Sequence, residues 1–122
     1  MRAFKVRWFA RFARHEGITD ASLWDAIERA QKGLIDADLG GHVIKQRVAR
    51  RGQGRSGGYR TIIAFRASDR AVFLYGFAKN ERDNISADEL ATLKEIAAAW
   101  LKADAVAIEL EIDQRNLVEV KP

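Results

Sequence analysis

Residues 45–81 read KQRVARRGQGRSGGYRTIIAFRASDRAVFLYGFAKNE. Three segments in and beside this stretch have the two-residue period of strands. In residues 43–50, Ile44 and Val48 point to one face while Lys45 and Arg47 point to the other. Residues 59–66 and 71–78 are rich in β-branched and aromatic side chains and are joined by Ala67-Ser68-Asp69-Arg70. That pattern predicts a hairpin apolar enough for the middle of a sheet. The apolar side of the 43–50 strand should pack on helices and leave its two cations on an open face.

No acidic residue occurs between Leu39 and Ser68, whereas seven cations do: Lys45, Arg47, Arg50, Arg51, Arg55, Arg60 and Arg66. The chain holds 21 Lys+Arg and 17 Asp+Glu, so the 14 bases outside this segment are outnumbered by acids and the net +4 arises within it. A field of that kind selects a polyanion, because each phosphate contact releases a condensed counterion.

On the N-terminal side, Phe4, Val6 and Trp8 alternate with Lys5 and Arg7 as a short strand would. Trp8, Phe9 and Phe12 then fall at helical spacing, with Arg11 and Arg14 on the other side and Gly17 able to end the helix. Thr19 or Asp20 caps a second helix carrying Leu23, Ile27 and Ala30, which Gly33 stops; the two helices form a hairpin. Asp36 to Gly41 reads as a turn. On the C-terminal side, Ser86 and Glu89 make a capping box ahead of an apolar stripe of Leu90, Leu93, Ala97, Trp100 and Leu101, which predicts a helix to about Lys102. Residues 106–113 fit both a strand and a helix, and residues 117–120 fit a short strand at the sheet edge.

Gly52-Gln53-Gly54-Arg55-Ser56-Gly57 matches the GxGxxG pattern, but a dinucleotide fingerprint follows a strand and opens a helix, whereas this one joins two strands. Its glycines let backbone N–H groups approach a phosphate that Arg51 and Arg55 can clamp. Lys45, Arg47 and Arg60 are the strongest candidates for chemistry, since strands hold them rigidly and no acid accompanies them in sequence. Lys79, Asn80 and Glu81 end the next strand and could place a cation and a proton acceptor beside the basic face. His15 and His42 are isolated and read as helix-end and turn residues; they make no metal site, and no cofactor motif is present.

At 122 residues, 48% hydrophobic and 31% charged, the chain has the composition of one globular domain over residues 1–122. It has no cysteine, which excludes disulfides, and no apolar run of signal-peptide or membrane-spanning length. A soluble cytoplasmic protein with no membrane partner is expected.

The run from Lys45 to Arg60, K-x-R-V-A-R-x-G-x-G-x-S-G-G-x-R, the run from Tyr75 to Arg82, YGFAKNER, and the long helix after them resemble the RelE/HigB-like toxins of bacterial type II toxin–antitoxin systems. The resemblance covers nearly the whole chain. It implies a small α+β, microbial-RNase-like domain of the RelE/ParE type: an N-terminal helical hairpin on a twisted, mostly antiparallel sheet, plus a C-terminal helix, with the active face opposite the hairpin. It also implies an endoribonuclease (an mRNA interferase) that inhibits translation by cutting mRNA on the ribosome and is neutralised by a cognate antitoxin. Position by position, the family's basic strand residues fall on Lys45 and Arg47, its strand arginine after the glycine loop on Arg60, and its post-strand cluster on Lys79, Asn80 and Glu81; the candidate catalytic residues are therefore Lys45, Arg47, Arg60, Lys79 and Glu81, with Arg50, Arg51, Arg55 and Asn80 as candidate RNA contacts. Arg60 would stabilise the phosphate, Lys45 and Arg47 would position the substrate, Glu81 would act as base and Lys79 as acid. Several relatives carry a tyrosine or histidine near the chain end; here neither occurs after Tyr75. A non-catalytic nucleic-acid-binding module using the same basic sheet and glycine-rich loop is the alternative.

Overall fold

The computed structural model describes residues 1–50 and 54–122, with the backbone alone for 54–57. In chain order the elements are β1 (Arg2–Val6), α1 (Arg7–Glu16), α2 (Asp20–Gln31), β2 (Ala37–Gly40), β3 (Val43–Arg50), β4 (Gly54–Arg66), β5 (Arg70–Ala78), α3 (Ala87–Lys102), α4 (Ala105–Asp113) and β6 (Leu117–Glu119). Six strands form one sheet in the order β2-β3-β4-β5-β1-β6. Only β1 and β5 pair in parallel; the other ladders are antiparallel. The expected α+β architecture is present, with two C-terminal helices instead of one.

Both faces of the sheet are covered. Helices α1 and α2 place Phe9, Leu23 and Ile27 against Ile44, Val48, Tyr59, Ile63 and Phe73 on the first face. On the second, Ala97 and Leu101 of α3 and Ile108 of α4 meet Val43, Ile62, Ala64, Val72 and Leu74. The β4–β5 register shifts between Ile62/Tyr75 and Ile63/Phe73, leaving Leu74 as an extra residue. This bulge resets the alternation, so that Tyr75 and Phe77 share the second face with Arg60.

Local chemistry explains most boundaries. Gly17 ends α1 at φ 72°, a conformation glycine adopts without steric cost. The Thr19 side chain accepts from the Ser22 N–H at the start of α2. Ser86 and Glu89 form the reciprocal capping box of α3. Residues 106–113 are helical, and Asp104 supplies the cap by accepting from the Ala107 N–H at 2.8 Å. Two expectations need correcting. Strand β1 ends at Val6, so Trp8 lies in α1. The segment read as a turn contains β2, which pairs Ala37 with Lys45 and Asp38 with Ile44. A four-residue strand with an aspartate and a glycine has little propensity of its own; β3 beside it supplies the pairing.

Gln46, fully buried, fixes β3 on the helices. Its amide donates to the Ala26 and Leu34 carbonyls at 2.9 and 3.2 Å, and its Oε1 accepts the Asp36 N–H at 2.8 Å. Each of those groups would cost about 1–3 kcal/mol if left unsatisfied. With Gln46 turned to the helices, Lys45 and Arg47 must point to the second face.

A cross-strand arginine pair as candidate active site

Arg47 of β3 lies directly opposite Arg60 of β4, and Arg60 opposite Phe77 of β5. These three form one row of the second face, toward the end of the sheet where Lys79 follows. Arg47 is exposed, while Arg60 is only 8% exposed and Phe77 is buried. Burial, reinforced by the charge of Arg47, pulls the Arg60 guanidinium below its ordinary pKa, and Asp36 opposes the shift. An arginine remains ionised at neutral pH under such a shift. The protein therefore holds two like charges side by side on neighbouring strands, an arrangement that destabilises a sheet on its own.

Among the described residues Asp36 is a carboxylate at this pair. Its Oδ2 accepts the Arg47 N–H at 2.5 Å, and its Oδ1 lies 3.7 Å from the Arg47 Nε. On the other side of the same residue, Arg29 donates to the Arg47 carbonyl at 2.5 Å. Strand β2 pairs with β3 only from Val43 to Lys45, and these two side chains occupy the backbone groups of Arg47 on the bare edge beyond it. The statement that no acid accompanies the basic strands thus holds along the sequence but not in space. A groove of about 430 Å³ lined by Arg29, Gly33, Leu34, Ile35, Asp36 and Arg47 opens at this edge.

Lys45, half-buried, lies one row inward, opposite Ile62, so of the two cations expected on an open face Arg47 alone is exposed. No carboxylate among the described residues comes within salt-bridge distance of Lys45 or Lys79. Lys79 extends the ladder by donating its N–H to the Gly58 carbonyl at 3.1 Å, which places it on the same face as Phe77. Asn80 and Glu81 are exposed in the turn that follows. The Glu81 charge bears on Tyr59, a first-face residue whose phenol is raised chiefly by burial and by Glu16. Arg50 also stands on the first face, its guanidinium 5.7 Å from the Tyr59 ring centroid. The structure thus joins Arg47 and Arg60 and sets Arg50 apart from them. Arg51 and the start of the glycine motif lie outside the described residues, as does the side chain of Arg55.

Sequence reasoning quoted Arg82 but gave it no role. Its guanidinium sits 5.4 Å from the Phe77 centroid, donates to both Glu89 oxygens at 2.6 and 3.1 Å, and reaches the Tyr75 hydroxyl at 3.4 Å. This bidentate pair ties the turn after β5 to the first turn of α3. The seven-residue spacing of Arg82 and Glu89 across a capping box was the available signal. Among the described residues no three His, Cys, Asp or Glu side chains converge as a metal site, and no helix is long and apolar enough to cross a membrane.

The fold and this face define a small α+β protein with a six-stranded, mostly antiparallel sheet and a buried arginine at its basic end. A family model described as the RelE toxin of the RelE / RelB toxin-antitoxin system matches residues 1–120. The chain belongs to that family of toxins, and membership implies an antitoxin partner. Comparison with the curated proteins and with the solved structures gave no match.

Proposed function

We propose that the protein is an endoribonuclease that cuts mRNA on the translating ribosome in the cytoplasm, and so inhibits translation until its cognate antitoxin binds. The observation that carries this reading is the cross-strand pair Arg47–Arg60. A phosphodiester placed between two repelling guanidiniums relieves their repulsion, and the phosphorane, with one more negative charge, relieves it further. That difference is what accelerates a reaction.

Cleavage proceeds by attack of the substrate's 2′-oxygen on the adjacent phosphorus. The P–O5′ bond breaks, leaving a 2′,3′-cyclic phosphate and a 5′-hydroxyl. Arg60 stabilises the phosphorane, Arg47 and Lys45 position the phosphate, and the two guanidiniums supply the charge that a metal would supply elsewhere. Lys79 protonates the departing O5′. For the proton of the 2′-hydroxyl, the sequence offered Glu81, whereas Asp36 is the carboxylate that lies against the arginine pair. Asp36 takes the role of base here. Arg50, Arg51, Arg55 and Asn80 hold flanking phosphates. The ribosome orients the mRNA, which reduces what the protein's own groups must supply.

Inducible expression tests the reading against a non-catalytic nucleic-acid-binding module. The expected result is growth arrest with mRNA cut inside translated regions. Arrest-free expression with salt-sensitive RNA binding and intact mRNA contradicts it.

A further inference from the structure

A second group of cations assembles at α1 and the turn before β6. Arg7, Arg11, Arg14 and Arg115 line one groove of about 360 Å³, completed by Ala10, Gln114 and Val118. The first three share a face of α1 at spacings of four and three residues, and Arg115 joins them from the turn before β6. No carboxylate lines this groove. Among the described residues none lies within salt-bridge distance of any of the four arginines. Elsewhere Arg2, Arg29, Arg66 and Arg82 each have a carboxylate partner, which the four arginines of the groove lack. Arg7 is also held in place. Its guanidinium donates to the carbonyls of Arg115 and Gln114 at 3.2 and 3.3 Å and to the Asn116 Oδ1 at 2.8 Å. All three acceptors are neutral, so the charge is fixed without being cancelled.

Helix α1 leads from this groove to the basic end of the sheet. Its ten residues span about 15 Å and finish at Glu16, whose carbonyl accepts from the Tyr59 hydroxyl at 3.3 Å. Arg50 lies over the same Tyr59 ring. The carboxylate on the way, that of Glu16, is 19% exposed and engaged by His15 at 2.9 Å. We propose that Arg115, Arg7, Arg11, Arg14 and Arg50 form a second RNA-binding track, which holds backbone phosphates of the strand that continues beyond the cleavage site. Guanidinium forks match phosphate oxygens, and the groove offers only Ala10 and Val118 as apolar lining, too little for a hydrophobic anchor. The track rests on the RNA-cleaving reading above and extends it to a longer substrate.

Fluorescence anisotropy with labelled single-stranded RNAs of about 5 and about 20 nucleotides, titrated over a range of KCl concentrations, tests the track. The double variant Arg11→Ala/Arg14→Ala removes two exposed side chains that have no hydrogen-bonded partner to orphan, and its thermal midpoint should match the parent's. Loss of two phosphate contacts should reduce the log–log salt slope for the long RNA by about 1.4 and its affinity about tenfold, with the short RNA bound as before. Arg11→Lys/Arg14→Lys should recover the slope. If the variant binds both RNAs like the parent, or weakens both equally, the track is wrong while the cleavage reading stands. A variant that keeps the long RNA but loses poly-glutamate binding reassigns the surface to an acidic protein segment. A parent that binds neither free RNA overturns the track, while cleavage of mRNA on programmed ribosomes tests the cleavage reading separately.

Discussion

At Arg60 the chain keeps a positive charge where little water reaches it and sets another beside it on the next strand. Such a charge carries a desolvation penalty that an anionic ligand can offset. The choice between the two candidate bases is a residue-scale question. Asp36→Asn keeps an acceptor for the Arg47 N–H and removes the charge, so it should lower the single-turnover cleavage rate by about 10² without unfolding the protein. Glu81→Gln, in the turn and acting electrostatically on Tyr59, should leave the rate within about threefold of the parent's. The reverse order of effects restores Glu81 as base. The alternation of Lys45 and Arg47 against Ile44 and Val48 was legible in the sequence because a two-residue period needs no tertiary information. Asp36 was not legible, since it reaches Arg47 across 11 positions and through a strand that its own residues do not announce.

Among the elements, those whose signal is local were readable: the capping box of α3, the apolar hairpin β4–β5, and α2 behind Thr19. The two that depend on neighbours were not. Strand β2 exists because β3 offers it an edge, and the amphipathic residues 106–113 fitted either period until the Asp104 cap and the packing of Ile108 decided for a helix. The join between β5 and α3 rests on Arg82 and Glu89. Hydrogen bonds from the Arg82 guanidinium, then from the Ser86 backbone, depress the Glu89 carboxyl to about 2 from an ordinary value of 4.5. A carboxyl whose folded pKa is depressed adds stability that is present above its unfolded pKa and is lost as the pH falls through the folded value. Stability should therefore fall between about pH 4.5 and about pH 2. In Glu89→Gln that part of the slope should flatten. Urea midpoints measured across this range check it, and an unchanged slope contradicts the role given to the pair. Both groups are partly exposed, so the effect should shrink in high salt.

At the scale of the whole molecule, one sheet separates two basic surfaces. Counting charge over the whole chain concentrated the excess in residues 39–68, because the 17 acids outside that segment outnumber the 14 bases there, even though residues 1–15 hold five of those bases and no acid. Folding sorts those acids elsewhere, onto Arg2 and Lys5 among others, and leaves Arg7, Arg11, Arg14 and Arg115 together. The whole-chain sum pointed to the first surface and passed over the second, whose α1 arginines were in view but whose Arg115 joins them only in the fold: segment charge is a sum, whereas a surface depends on which side chains share a face. The direction of Arg50 follows the strand's alternation, which puts it with Ile44 and Val48 on the first face. Tying these scales together is the claim that Arg47 and Arg60 jointly stabilise a phosphorane. The most direct measurement is the single-turnover rate of mRNA cleavage on programmed ribosomes by the parent, Arg60→Ala, Arg47→Ala and the double variant. Each single change should cost about 10² or more in rate, and the double variant should lose less than the product of the two. An Arg60→Ala protein that folds and cuts as fast as the parent would contradict it.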